Sequence, residues 1–280
     1  MSRPRSGPTA ALRLVAQALR ESREAAGMSI AAAAEALHVH TMTISRMERA
    51  QTVPKRATVA LLMSLYDVGE WERDALQEQL DRALEPGWWH PYRHLIPSDM
   101  NGLMDLETEA ELIRVYAPAV IPEPLRAPGY ARCLLAMRHP HAGAEEIEQR
   151  IELLQERQRH RSGHLWVLLE EAALHRPVGG KEIMAEQRAL LERYAAGPQH
   201  DGVTLQWISA KASPHPLMLC GPVEIYRHPH PRIPDHLVLR GLTEQTVTDS
   251  ADTVLTHTAA MDTAAAHAET PTTPLPGSPE

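Results

Sequence analysis

Cysteine is scarce: Cys133 and Cys220 are the two in 280 residues, too few for a disulfide framework. Neither belongs to a CxxC or Cys/His zinc pattern, so both read as small thiols packed inside, as suits a reducing compartment. Long apolar runs are missing too. Nothing approaches the roughly 20 residues of a membrane span, and the basic start MSRPRSGPTAALRL has no apolar stretch ahead of a cleavage site. The expectation is a cytoplasmic protein that neither enters nor binds a membrane. Glycine-rich phosphate loops are equally absent: RPVGG at 176–180 lacks the GxxxxGK[ST] and GxGxxG spacings and reads as a turn. No internal repeat interrupts the chain, and 43% apolar residues are enough to bury a real core.

What the chain does have is a lopsided charge. The formal net charge is -8, yet residues 1–60 carry nine basic side chains against four acidic ones, a net of +5. The remainder holds nineteen basic and thirty-two acidic residues, a net of -13. A positive head before an acidic body makes the head a candidate for a polyanionic partner, which the overall charge hides.

Within that head, LRLVAQALRESREAAG spaces Leu12, Val15 and Leu19 as one face of a helix and stops at Gly27, suited to a left-handed turn. Ser29 suits the N-cap of a second, alanine-rich helix ending near His38. HTMTISRME follows after a short turn as a third. Leu37, Val39, Ile44 and Met47 are expected to form the core that holds this helix-turn-helix together. Thr41, Met42, Thr43, Ser45 and Arg46 lie on the other faces, where short polar side chains and one arginine can reach base edges in a major groove roughly 12 Å wide. His40, Arg49, Lys55 and Arg56 are expected at phosphates. Glu48 would repel phosphate, so it is expected to pair with an arginine of the first helix, Arg20 or Arg23.

Residues 23–68, REAAGMSIAAAAEALHVHTMTISRMERAQTVPKRATVALLMSLYDV, resemble the helix-turn-helix of Cro- and lambda-repressor-like regulators, the xenobiotic-response-element group. Shared are Ala-Gly ending the first helix, Ser opening the second, TISR followed by an apolar residue and Glu, and Pro before the fourth helix. His38 stands where the group usually has glycine, and Ile30 where a polar phosphate-contacting residue is common. GWWHPYRHLIP, LETEAELIRVYAPAVIPEPLRAPGYARCLL, RIELLQERQ and LWVLLEEAALHRPVGG resemble the carboxy-terminal domain behind this motif in actinobacterial regulators, a domain of unknown function. The resemblance runs from about residue 12 to about residue 245. It implies a DNA-binding transcriptional regulator, often encoded beside a small partner protein; one helix-turn-helix reads only about half a site, so the regulator is expected to bind as a homodimer.

The expected architecture is two domains, an all-α helix-turn-helix domain and an α/β (α+β) domain with a mixed sheet. The divisions are a flexible tail over 1–10, the DNA-binding domain over 11–68, a connecting helix over 69–90, the second domain over 91–268 and a disordered tail over 269–280. Trp71, Leu76, Leu80 and Leu84 are expected to form the apolar stripe of the connecting helix. ETEAELIRVYAP and GAEEIEQRIELLQERQRHR read as further helices. LWVLL, VTLQWI, VEIY and HLVLRGL read as strands, interrupted by the helix KEIMAEQRALLERYAA.

Candidate chemistry in the second domain is sparse. Glu170, Glu171, His175 and Arg176 could form an acid-base cluster, but salt bridging at a strand end is the favoured reading. The histidines of RHPHAG and RHPHPRIPDH alternate with proline in loops and do not converge as metal ligands must, so no metal and no cofactor is assigned. Trp88, Trp89 and Tyr92 either stack a planar ligand or anchor one domain on the other; packing is favoured. The chain therefore reads as a non-enzymatic, sequence-specific regulator on double-stranded DNA, its second domain serving dimerisation, a partner or a small effector. An antitoxin-like interaction module, or an enzyme tethered to DNA, are the alternatives.

Overall fold

The structure is a computed structural model that describes residues 10–97, 100–195, 202–242 and 245–277. The flexible tail expected over 1–10 lies outside the described residues up to position 9; Ala10 already opens a helix. The chain divides into two compact units, residues 1–106 and 107–280.

The N-terminal unit is helical: α1 (Ala10–Ala25), α2 (Ile30–Ala36), α3 (Thr41–Glu48), α4 (Arg56–Leu65) and α5 (Glu70–Leu84), followed by α6 (Asn101–Glu109), which crosses the division. Val15 and Leu19 of α1, Ala33 and Ala34 of α2, Ile44 and Met47 of α3, and Leu62 and Leu80 of α4 and α5 meet in one core. Alanines on α2 let its backbone come close to its neighbours, since a methyl is all that separates them. On α5 the expected stripe is only half realised. Leu76 and Leu80 are buried, whereas Trp71 is 82% exposed and Leu84 39% exposed. Trp71 sits in the first turn of α5 and Leu84 in its last, each near an end of the helix.

The turn after α5 is built around one glycine. A Cβ at Gly87 would stand 2.6 Å from Nε1 of Trp89, the group that donates a 2.9 Å hydrogen bond to Asp105 Oδ1. Trp89 is buried at 2% exposure, and burying its N–H demands this carboxylate. That bond ties residue 89 to α6. The segment after α5 therefore stays with the helical unit, and the division falls at residue 106 rather than at the expected 90.

The C-terminal unit is a mixed six-stranded sheet with helices, in the strand order β3-β2-β1-β4-β5-β6. Its strands are β1 (Leu112–Ala117), β2 (His164–Glu170), β3 (Val203–Ile208), β4 (Val223–Arg227), β5 (His236–Arg240) and β6 (Gln245–Thr248). β1, β2 and β3 run parallel, Val115 opposite Val167 and Val167 opposite Leu205. β4, β5 and β6 add antiparallel neighbours on the other side of β1. Parallel strands need crossover connections. α7 (Pro128–Arg138) and α8 (Ala144–His160) connect β1 to β2, and α9 (Glu171–His175) and α10 (Lys181–Ala195) connect β2 to β3. One sheet face, with Tyr116, Leu168, Ile225 and Leu237, is covered by α11 (Ala251–Ala266) through Val254, Met261 and Ala264.

Three readings change here. ETEAELIRVYAP is not one helix: α6 ends at Glu109 and β1 starts at Leu112. A strand buried on both faces reads as a continuous apolar run, and Ile113, Val115 and Tyr116 are all at 1% exposure. β6 and α11 carry no sequence expectation, because α11 is rich in Ala and Thr and its stripe of large apolar residues is thin. Nor is 269–277 a disordered tail. The Glu269 N–H donates to the Trp207 carbonyl on β3, Leu275 is 3% exposed, and the carbonyls of Leu275 and Pro276 accept from the Arg188 guanidinium. Residues 278–280 lie outside the described residues.

Opposite charges are buried together in this unit. Arg157 donates to Glu107 (2.9 Å) and Glu123 (2.6 Å), and Arg240 to both oxygens of Glu224 (2.6 and 2.9 Å). Burial alone would raise the Glu123 carboxyl, but attraction to Arg240, Arg157 and Arg126 outweighs it and holds the group well below the ordinary 4.5. Glu107 goes the other way: burial raises it despite Arg157. A carboxyl depressed in the fold adds stability above its unfolded value and loses it as pH falls through its folded value. Glu123→Gln is therefore expected to lose less stability than the wild type when the full chain is titrated from pH ~6 to pH ~2 and unfolded with urea at each step. Equal losses would contradict the assignment.

Candidate nucleic-acid interface

α3 has only eight residues, too few to be helical alone, so its position depends on what holds it. Ile44 (1% exposed) and Met47 (3%) enter the core. Leu37 is half-buried against the same cluster. A third hold comes from Glu48, whose carboxylate receives Nε (2.7 Å) and Nη2 (3.0 Å) of Arg23. The same guanidinium donates Nη1 to the Met28 carbonyl at 2.8 Å. One buried arginine thus fastens α1, the turn after it and α3. Tyr66 lies beside the pair, where burial and the Glu48 charge push its phenol up to about 12.

The turn between α2 and α3 is made without glycine. His38 has φ +54, its N–H donates to the Glu35 carbonyl, and the Val39 N–H donates to Ala34. This is the paired closing of a helix by a left-handed residue, which usually selects glycine. The same pattern ends α1 at Gly27, α3 at Ala50 and α4 at Asp67. One expectation fails here: Val39, placed in the core from sequence, is 37% exposed, because the left-handed residue turns the chain outward just before it.

The outer side of α3 carries Thr41, Met42, Thr43 and Arg46, all exposed, with Ser45 half-buried. The Arg46 guanidinium has no hydrogen bond or ion pair among the described residues. Arg49 folds back along the helix, donating to the Ser45 hydroxyl (2.8 Å) and carbonyl (3.1 Å), with the Met42 sulfur at 3.9 Å. His40 is the N-cap residue: its carbonyl accepts from the Thr43 N–H (2.8 Å), but its side chain makes no cap. Lys55 is exposed and unpaired among the described residues, whereas Arg56 lies 2.5 Å from Asp81 of α5. The fragment predicted to hold phosphates thus divides into a free cation and one already matched.

The remaining candidates stand elsewhere. Trp89 is closed into the helical unit, and Trp88 and Tyr92 are half-buried. Glu170, Glu171 and His175 do not converge as an acid-base cluster: Glu171 pairs with His175, the strand-end salt bridging favoured from sequence, and Glu170 turns to other partners. Glu170 accepts from the Tyr116 hydroxyl (2.9 Å) and meets His215 (3.0 Å), while Glu171 accepts from the Ala210 N–H (2.8 Å) and lies 3.4 Å from His175. His215, only 6% exposed and distant in sequence, was the partner that spacing could not reveal. The histidines of RHPHPRIPDH brace their loop: His228 meets Glu109 and accepts from the His230 N–H, and His230 accepts from Arg232. Cys133 and Cys220 are free and half-buried rather than fully enclosed. No helix among the described residues is long and apolar enough to cross a membrane.

Two short helices joined by a tight turn, with the second pinned by its inner face, make the N-terminal unit a helix-turn-helix domain. Residues 14–76 match the family model described as a helix-turn-helix domain. Residues 100–274 match the model described as a domain of unknown function, DUF5753; this covers more than half of the chain, and the protein belongs to that family. No curated protein and no solved structure matches the chain.

Arg23→Met leaves Glu48 buried without a partner and is expected to cost about 3–5 kcal/mol in urea unfolding of the helical unit, much of it restored in Arg23→Met/Glu48→Leu. A single variant within ~1 kcal/mol of wild type would remove this pair from its structural role. His38→Gly should do the opposite. It relieves a left-handed residue at an exposed site and is expected to stabilise by about 0.5–1 kcal/mol, net of the greater freedom of glycine in the unfolded chain.

Proposed function

We propose that the protein is a sequence-specific transcriptional regulator of the Cro-like, xenobiotic-response-element group, acting as a homodimer on double-stranded DNA. The observation that carries this is the two-sided α3: Ile44, Met47 and Glu48 hold its inner side, while Thr41, Met42, Thr43 and Arg46 are exposed on the outer one. Such a helix fits a major groove with its first turn toward base edges. Arg46 reads a base, most simply guanine through paired hydrogen bonds. Arg49 holds Ser45 and Met42 in place and brings a positive charge to the same side. Lys55 and the N-terminus of α3 at His40 hold phosphates, and Arg56 contributes less because Asp81 already neutralises it.

The acidic C-terminal unit does not itself bind DNA in this reading. It supplies the second half-site reader by dimerisation, since two such helices are spaced about one DNA turn, roughly 34 Å, apart. It also takes the regulatory input, a small effector or a small partner protein encoded nearby. The reaction is binding without covalent change, in the cytoplasm at the nucleoid.

Base readers and phosphate holders separate experimentally. Arg46→Ala is expected to cost about 1–3 kcal/mol on the selected site and to relax preference at one base position. Lys55→Ala should weaken all sequences alike and reduce the magnitude of the log-log salt slope by about 1, and Arg56→Ala by less. The measurement is an affinity matrix over single base changes at two salt concentrations. If Lys55→Ala changed the matrix and Arg46→Ala did not, the reading surface would be misassigned.

A further inference from the structure

A cavity of about 410 Å³ opens in the C-terminal unit between the chain at Ile121 and helix α10. Its base is apolar and fixed: Ile121 is 1% exposed, Leu174 6% and Leu191 2%. Gln187 closes the back with its amide committed to the fold, accepting from the Ala127 N–H (2.8 Å) and donating to the Leu125 carbonyl (2.7 Å). That side of the cavity is therefore set by the fold. A mostly apolar cleft of this volume, with a few polar groups at its edge, is the usual form of a site for a drug-sized molecule.

Its charge is the reverse of its surroundings. The chain carries thirty-six acidic residues, and the part after residue 60 is strongly negative, yet no Asp or Glu lines the cavity. The charged side chains that do are Lys181 and Arg188. Arg188 is occupied, bonding to Glu192 and to the carbonyls of Leu275 and Pro276. Lys181 is exposed at the mouth, next to Gly180 at φ +92, and its ammonium has no ion pair or hydrogen bond among the described residues. The carboxylate beside the mouth, Glu171, is taken by Ala210, Ser209 and His175.

We infer that this cavity binds a small organic anion with an apolar body, its carboxylate, sulfonate or phosphate set against Lys181. The body replaces water on Ile121, Leu174 and Leu191, and the acid supplies the counter-charge that the protein withholds from Lys181. This goes beyond the DNA-binding reading and does not rest on it, because binding is read without DNA.

The test uses the full chain and a matched pair of fluorescent probes. These are 8-anilinonaphthalene-1-sulfonate and N-phenyl-1-naphthylamine, the same aromatic body without the acid. The sulfonate is expected to saturate a single site per chain and to bind about ten-fold or more tighter than the neutral probe, the size of one charge-assisted contact. Lys181→Ala should abolish that difference and leave the neutral probe unchanged; the residue is exposed, so the fold is not at stake. Ala185→Trp, at an exposed position on the cavity wall, should displace both probes while the far-ultraviolet circular dichroism stays as in the wild type. Equal affinity for the two probes, sulfonate binding unchanged in Lys181→Ala, or both probes retained in Ala185→Trp would each overturn the assignment.

Discussion

The ion pair between Arg23 and Glu48 is the constraint on which the N-terminal unit depends. An eight-residue helix with two buried apolar side chains has little to fix its rotation, because Ile44 and Met47 are only three residues apart on one line. A bidentate arginine fixes direction as well as distance, since both nitrogens of its planar fork must meet both carboxylate oxygens. The same fork grips the Met28 carbonyl, so the turn after α1 is set by the group that sets α3. The Tyr66 phenol, pushed up to about 12 beside it, stays neutral over the physiological range, and the pair keeps its balance of one charge against one. The consequence is functional: the side of α3 bearing Thr41, Met42 and Arg46 faces outward because its opposite side is held at three points.

Charge is managed differently in the second unit. Its carboxylates are matched in its interior, where Glu107, Glu123 and Glu224 share Arg157 and Arg240. Removing either arginine would strand a desolvated carboxylate, a costly state. Against that background the cavity beside α10, lined by cations and no carboxylate, stands apart in its electrostatics. Two places where positive charge is left over differ in form: the outer side of α3 with Lys55, and the mouth of the cavity at Lys181. One suits a polymer of phosphates and the other suits a single small acid.

The helical unit was legible because its signals are local. Gly27 and Ser29 mark a helix end and a helix start on their own, and Glu48 stood out as an acid that could not face phosphate. Val39 was misplaced because a left-handed histidine leaves no compositional trace, and the pairing of Arg56 with Asp81 spans 25 positions that no periodicity connects. In the second unit the strands of plain apolar runs were found, and β1 was lost because Arg114 breaks its apolar run and it starts at Leu112, directly after α6 ends at Glu109. α11 was missed for a different reason: it packs on the sheet through Val254, Met261 and Ala264, too thin a stripe of large apolar residues to mark a face in the sequence. The cavity was invisible, since Ile121, Leu174 and Lys181 are brought together by the fold alone, and RPVGG read correctly as a turn gives no hint that the turn presents Lys181.

The central claim is that α3 of this chain reads base sequence. Selection of bound duplexes from a random DNA pool by the full chain, at a stated salt concentration, tests it most directly. The account predicts enrichment of a two-fold symmetric motif whose half-sites lie about one helical turn apart, about 34 Å. Recovery of an unenriched pool, with binding that vanishes as salt rises and shows no preferred sequence, would contradict it.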